Sequence, residues 1–397
     1  MRARTWSSLS ASVLAIVLPL LAAPARGEEG GRVPVPFGAA PVLCSSRGMV
    51  VSAAPEASRV GAELLAAGGN AMDAAIGTAL ALAVVYPQAG NLAGGGFLVA
   101  RTPDGTVHAL DYRETAPARA SRDMYLGADG RPVPNASTAT ALAVATPGSV
   151  RGYAEAHRRL GRLPWAAVVA PAARLARDGF RVPGGLAEDL EAERELLTRW
   201  EETRRVFFPA GKSLAPGTLL RQPELAATLE RLAREGPEAF HRGEIAARIA
   251  AFVRAHGGVL SEEDLAGYAP LWRAPEEIRS GGLVVHTMPL PSSAGLVLRS
   301  VLAQLEVARP AAPGRLDADA YHVLLEAERR AYSDRNRWLG DGDCADVPLA
   351  PLLAPARLSA LGASIDAARA TPSAGFDDPL RGEREEPTHL SAATPDG

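Results

Sequence analysis

From residue 148 to 275 apolar side chains recur every three or four positions, the period of helices with one buried face. The stretches "GSVRGYAEAHRRLGRLPW", "AAVVAPAARLARDGF", "LAEDLEAERELLTRW", "PELAATLERLAREGPEAF" and "GEIAARIAAFVRAHGG" all carry it. "LSEEDLAGY" predicts a further short helix, with Ser261 as N-cap and Asp264 at the capping-box position. Upstream, "GMVVSA" reads as a strand and "PEASRVGAELLAAGG" as a helix, with Pro55 in its first turn and Gly68-Gly69 as its stop. Asn70 then caps "AMDAAIGTALALAVVY", which is apolar on nearly every side. Such a helix belongs inside a large fold, and it is too short, and carries Asp73, to cross a membrane.

Downstream, "GGLVVHTMPLPSSAG" predicts a strand running into a proline- and serine-rich loop, and "DADAYHVLLEAERRAYSDRNRWLG" a long amphipathic helix. It has many charges, most of which fit a solvated face with i,i+4 pairs. Residues 345–387 are rich in proline and polar groups and read as a mobile segment. No repeat and no linker interrupts residues 45–340, so one mixed α/β domain of the α+β kind is expected.

The four letters Thr-Pro-Asp-Gly occur twice, at 102–105 before the strand "TVHALDY" and at 394–397, the last residues given. Proline presets φ and glycine accepts positive φ, so both copies are turn chemistry. The second copy predicts a hairpin whose returning strand lies beyond Gly397, which leaves an unpaired strand edge.

The chain has 397 residues, 47% hydrophobic, and a formal net charge of −3, with no basic excess to suggest nucleic acid or an anionic membrane as partner. Its basic residues are almost all arginine, with Lys212 the only lysine, which points to GC-rich coding and a bacterial source. Residues 1–27 carry Arg2 and Arg4, an apolar run, then Ala23-Pro24-Ala25. That is the layout of a secretory leader, and the protein is expected in the periplasm or secreted. Residues 28–44 read as a mobile segment after it. Cys44 and Cys344 make one disulfide possible but no framework, and no histidine–cysteine spacing suggests zinc or another metal.

"AGNLAGGGF" tempts a phosphate-cradle reading. It lacks the following lysine and precedes a strand, so tight backbone packing at a strand start is preferred. Arg113, in "LDYRETAP", is an ordinary surface arginine by spacing alone, with Glu114 as neighbour, or a fork for a substrate carboxylate. Ser292 and Ser293 in "MPLPSSAG" do not form a nucleophile elbow and fit a capped loop before a helix. Thr388 beside His389 is a weak signal on its own.

In order, "GMVVSA", "AAGGNAMDAAIGTALALAVVYPQAGNLAGGGF", "ALDYRETAP", "TPGSV", "LARDGF", "GPEAFHRGEIA", "GGVLSEEDLAGY", "MPLPSSAG" and "EAERRAYSDRNRWLGD" resemble the γ-glutamyltranspeptidases, or glutathione hydrolases, over roughly residues 45–397. The resemblance implies an exported N-terminal-nucleophile hydrolase with an αββα sandwich, and no cofactor. Residues 45–344 would be its large-subunit domain and 388–397 the first strand and turn of the small subunit. It implies a precursor that cuts itself, freeing a threonine whose hydroxyl attacks the γ-glutamyl amide with its own α-amine as base. Glutathione and other γ-glutamyl compounds would be substrates, and water, amino acids or dipeptides the acceptors. Arg113 would hold the α-carboxylate of the γ-glutamyl group.

Two departures bear on activity. The family's nucleophile stands two positions before the histidine, and here that position is Pro387, which has no hydroxyl. Thr388 is the nearest substitute, and a one-residue shift in a strand turns a side chain to the opposite face unless a bulge intervenes. The remaining strands of the small subunit, with its oxyanion donors, would follow Gly397 or come from a separate polypeptide. The 397-residue chain alone is therefore expected to be inactive. The alternative is a non-catalytic relative that binds γ-glutamyl compounds or a partner subunit.

Overall fold

The computed structural model describes residues 43–309, 317–372 and 388–397. The leader-like residues 1–27, the segment as far as residue 42, residues 373–387 and with them Pro387 lie outside the described residues. The chain separates into two compact units, whereas the composition shows no linker between residues 45 and 340. The larger takes residues 43–106, 110–272 and 388–397, the smaller residues 107–109, 273–309 and 317–372.

The larger unit begins with β1 (Met49–Ser52), α1 (Pro55–Ala66) and α2 (Ala71–Val85). Twelve of the fifteen residues of α2 are buried, as expected of a helix with no polar face. Asn70 caps it as expected, its Oδ1 accepting from the Met72 and Asp73 amides at 3.1 Å. The chain continues through β2 (Phe97–Arg101) and the first Thr-Pro-Asp-Gly turn into β3 (Val107–Asp111). In that turn the Thr102 amide donates to the Thr106 carbonyl at 2.9 Å, and Gly105 has φ +88°.

Helices α3 (Ser149–Leu160), α4 (Trp165–Asp178), α5 (Pro223–Glu235), α6 (Glu244–Ala255) and α7 (Glu262–Gly267) follow. Val168, Val169, Leu229 and Leu232 on α4 and α5 join Ile76, Leu80 and Leu82 of α2 in one core. The helical reading of residues 148–275 missed a two-residue pairing of Phe180–Arg181 with Leu219–Leu220, too short to leave a pattern. The C-terminal strand Leu390–Ala393 pairs antiparallel with β1, Met49 opposite Ala393 and Ser52 opposite Leu390.

One buried carboxylate fastens this unit. Asp73 is fully buried and accepts from the Asn70 amide at 2.9 Å, the Arg162 amide at 3.1 Å and the Leu163 amide at 3.2 Å. His157 Nε2 lies 3.7 Å from it and 2.8 Å from the Leu163 carbonyl. The start of α2 is thereby tied to the chain leaving α3.

The smaller unit pairs β5 (Glu276–Ser280) with β6 (Leu283–Thr287) as an antiparallel hairpin, after a short β4 (Leu271–Arg273) that ends at its boundary. The polar sequence of β5 hides it from a hydrophobic pattern. Helices α8 (Ala294–Ala308), α9 (Ala318–Trp338) and α10 (Pro355–Ala363) supply the rest. A core of Val301, Leu302, Val323, Ala327 and Leu352 joins them.

Two expectations are corrected here. The charges of α9 are not all on a solvated face: Glu326, Arg330 and Asp334 are buried. Glu326 accepts from Arg330 at 2.8 Å, Arg329 at 2.6 Å and the Thr371 hydroxyl at 2.5 Å. Burial pushes its carboxyl up, but the bonds from Arg330, Thr371 and Arg329 outweigh it and hold the pKa down at about 2. Asp334 accepts both terminal nitrogens of Arg357 on α10 at 2.7 Å. Part of the segment read as mobile is likewise packed. Leu352 and Leu358 are buried, and Pro355 stands at the start of α10, where a proline does not disturb a helix. Cys44 and Cys344 are both free and exposed. No helix among the described residues is long and apolar enough to cross a membrane.

Removing the Asp73 carboxylate leaves three backbone amides without their acceptor in a dry site. Asp73→Ala is expected to lower unfolding stability by about 3 kcal/mol, against under 1 kcal/mol for a surface control such as Glu195→Ala. Chemical denaturation of the two variants checks this.

Candidate active site

Several motifs that stand apart in sequence meet around Arg113. β3 ends at Asp111, and Arg113 lies two residues on, in the extended segment that leaves the strand. The Arg113 amide donates to Asp111 Oδ1 at 3.0 Å. Tyr112 exchanges two backbone hydrogen bonds with Gly96, at 3.0 and 3.3 Å. Thr115 exchanges two more with Thr146, at 3.2 and 2.8 Å. The Arg113 carbonyl accepts from the Tyr268 hydroxyl at 2.8 Å. The backbone is therefore held from several sides while the Arg113 side chain is exposed.

The glycine-rich stretch forms the floor beside it, and its packing role is the one expected from the sequence. A methyl group on Gly95 would come within 2.6 Å of Glu114 Oε2 and 2.7 Å of the Tyr112 carbonyl, so only a hydrogen fits. Glu114 thus lies over this loop. Among the described residues the Arg113 guanidinium has no ion pair, with Glu114 or any other carboxylate. Asn91 Oδ1 accepts from the Gly94 amide and the Ser149 hydroxyl, both at 2.8 Å. Gly94 in turn accepts from the amides of Gly148 and Ser149, at 2.7 and 2.9 Å. The loop and the first turn of α3 are one hydrogen-bonded body.

Aromatic side chains back this body. Tyr112 and Tyr153 meet edge to face with centroids 5.5 Å apart. Burial holds both hydroxyls neutral, pushing Tyr153 up to about 12. His241 is fully buried, donating from Nδ1 to the Leu265 carbonyl at 3.1 Å, and Nε2 finds no partner among the described residues. Burial, and then the charge of Arg151, lower its pKa to about 4.

The other sequence candidates fall elsewhere. Thr388 precedes the C-terminal strand, half-buried, and its Oγ1 is buried with no partner among the described residues. Its exposure alternates with that of His389 and matches Leu390, which packs on the core, so Thr388 shares the inward face. His389 is exposed. Ser292 Oγ accepts from the Ala294 amide at 3.3 Å, the local turn expected ahead of α8. Asn91, Gly148, Arg151, His241 and Tyr268 were not singled out from the sequence. Each lies in or beside a quoted motif, but only the fold shows that the motifs converge. No group of acidic, histidine or cysteine side chains among the described residues could hold a metal.

An exposed arginine fork on a rigid, glycine-floored backbone suits an enzyme that grips a carboxylate. A family model described as Gamma-glutamyltranspeptidase matches residues 57–397, and the chain belongs to that family. It is 40% identical over 358 residues to the glutathione hydrolase proenzyme of Escherichia coli K12, covering 89% of this chain and 61% of that protein. The chain thus spans about three fifths of that relative's length. Among solved structures it is similar to the γ-glutamyltranspeptidase of Helicobacter pylori, with a TM-score of 0.81 and 34% identity over 87% of this chain and 99% of that one. A γ-glutamyltranspeptidase of Pseudomonas nitroreducens complexed with L-DON gives 0.77 and 35%, over 84% and 98%. The expected N-terminal-nucleophile hydrolase fold is borne out.

Because folded His241 stays neutral down to about pH 4 and unfolded histidine protonates near 6.5, the unfolded chain binds more protons between these values. Stability from this group is fully present above about 6.5 and is lost as pH falls toward about 4. The His241→Gln variant is expected to show a flatter fall in Tm over that window, measured by thermal melts at half-unit pH steps.

Proposed function

We propose that this chain is the large-subunit part of a γ-glutamyltransferase or glutathione hydrolase, with Arg113 holding the α-carboxylate of the γ-glutamyl group. The observation that carries this is the exposed Arg113 guanidinium, without an ion pair among the described residues, on a backbone fixed by Asp111, Gly96, Thr146 and Tyr268. Bidentate guanidinium–carboxylate pairing suits such a fork. The coverage pattern supports the large-subunit reading: the chain spans 98–99% of two solved chains but 61% of a proenzyme.

Chemistry at the amide would fall to a threonine freed by self-cleavage, its hydroxyl attacking the γ-carbonyl and its amine taking the proton. Water, an amino acid or a dipeptide would then accept the acyl group. The leader-like residues 1–27 support export to the periplasm or the medium.

A second reading, a non-catalytic relative that binds γ-glutamyl compounds or a partner subunit, is favoured by Pro387 at the nucleophile position. Proline offers no hydroxyl for attack or for the acyl shift that cuts a precursor. Both readings share the Arg113 fork and part at turnover.

Ligand-detected NMR titration of the 397-residue chain with γ-glutamylglycine tests the shared part. Arg113→Gln is expected to weaken binding about tenfold or more, since a charge-assisted pair is lost; equal affinity would remove Arg113 from the site. Turnover is tested separately with a γ-glutamyl anilide and intact mass. The chain alone is expected to release no aniline above its Thr388→Ala variant and to stay uncut between 387 and 388.

A further inference from the structure

The geometry points to Tyr268 as the positioning residue for Arg113, setting the carboxylate fork through the Arg113 peptide carbonyl. This rests on the reading of Arg113 given above. An exposed guanidinium on a long side chain has little to steer it except the placement of its own backbone. A recognition group has to be held within about half an ångström of its productive position. The Tyr268 hydroxyl supplies one of the holds, donating to the Arg113 carbonyl at 2.8 Å from 155 residues further along the chain.

Tyr268 is itself seated with little freedom. It is 5% exposed and caps the end of α7. The Arg151 guanidinium donates to the Tyr268 carbonyl and, at 3.1 Å, to the Ala266 carbonyl, and pairs with Glu238 at 2.9 Å. The Tyr268 ring lies parallel to His241, with centroids 6.2 Å apart at 16°. His241 is fixed in turn by the Leu265 carbonyl.

Gly148 completes the arrangement from another element. A Cβ there would collide with both the Tyr268 hydroxyl and the Tyr112 carbonyl. The missing side chain at residue 148 therefore leaves the room through which the hydroxyl reaches Arg113. Tyr268→Phe and Gly148→Ala, changes on two different elements, should act on the same hydrogen bond.

The test uses the 397-residue chain and two probes, γ-glutamylglycine and its analogue with the α-carboxylate replaced by a carboxamide. Wild type is expected to prefer the carboxylate. Tyr268→Phe keeps the ring and loses only the hydroxyl, so the carboxylate probe should bind about fivefold more weakly while the carboxamide probe changes less than twofold. Gly148→Ala should narrow the preference in the same way, and the double variant should add little further. A merely structural role would weaken both probes alike and leave their ratio unchanged.

An unchanged ratio in Tyr268→Phe, with the preference abolished in Arg113→Gln, would overturn the positioning role and leave the Arg113 reading standing. A preference that survives Arg113→Gln, or is absent in wild type, overturns both. Should Tyr268→Phe fail to fold, the ratio in Gly148→Ala decides by the same criterion.

Discussion

A carboxylate with no water around it must be met by donors, and Asp73 is met by three backbone amides with a histidine ring close by. Those amides belong to Asn70, Arg162 and Leu163, so a single charge determines where α2 starts and where the chain leaves α3. Asn70 adds a second tie, donating from Nδ2 to the Leu160 carbonyl at 2.7 Å. With both ends set, α2 can bury nearly its whole circumference, and α4 packs against it with α5 behind α4. The N-terminal turn of α3, at the other end of that helix, then meets the glycine loop that floors the Arg113 segment. The site inherits its rigidity from a core charge distant in sequence.

Close approach is the other constraint on that site. Gly95 leaves room for Glu114 and the Tyr112 carbonyl, and Gly148 for the Tyr268 hydroxyl. Neither needs an unusual φ; what each supplies is the absence of a Cβ. The glycines that look like a phosphate cradle are thus explained by backbone meeting backbone, and what they supply is room for an arginine's peptide group to be gripped from several directions.

Local chemistry was the legible part of the sequence. Asn70 and Ser261 cap their helices as their types and spacing predict, and Asp264 completes the box at Ser261. The all-round apolarity of α2 announced its burial. Arg113 stood out by its motif, but the residues that hold it did not, because a hydroxyl reaching across 155 residues leaves no periodicity. Charge patterns misled at Glu326, Arg330 and Asp334, since an i,i+4 pair has the same spacing whether solvated or enclosed. Proline density masked the leucines of "PARLSALGA", whose three-residue spacing places Leu358 in the core. The polar strand β5 could not be seen at all by hydrophobic alternation, because its partner β6 carries the apolar residues.

The pairing of β1 with Leu390–Ala393 has a consequence for how the molecule is made. The partners stand about 340 residues apart, so β1 emerges early in synthesis and has no ladder until nearly all of this chain exists. Throughout that interval it presents bare amides and carbonyls, with Val51 on its outer face 56% exposed even in the finished fold. Completing this pair is thus a late, long-range event, and the growing chain carries an adhesive edge that it must keep covered, by speed or by chaperones, until Leu390–Ala393 arrives.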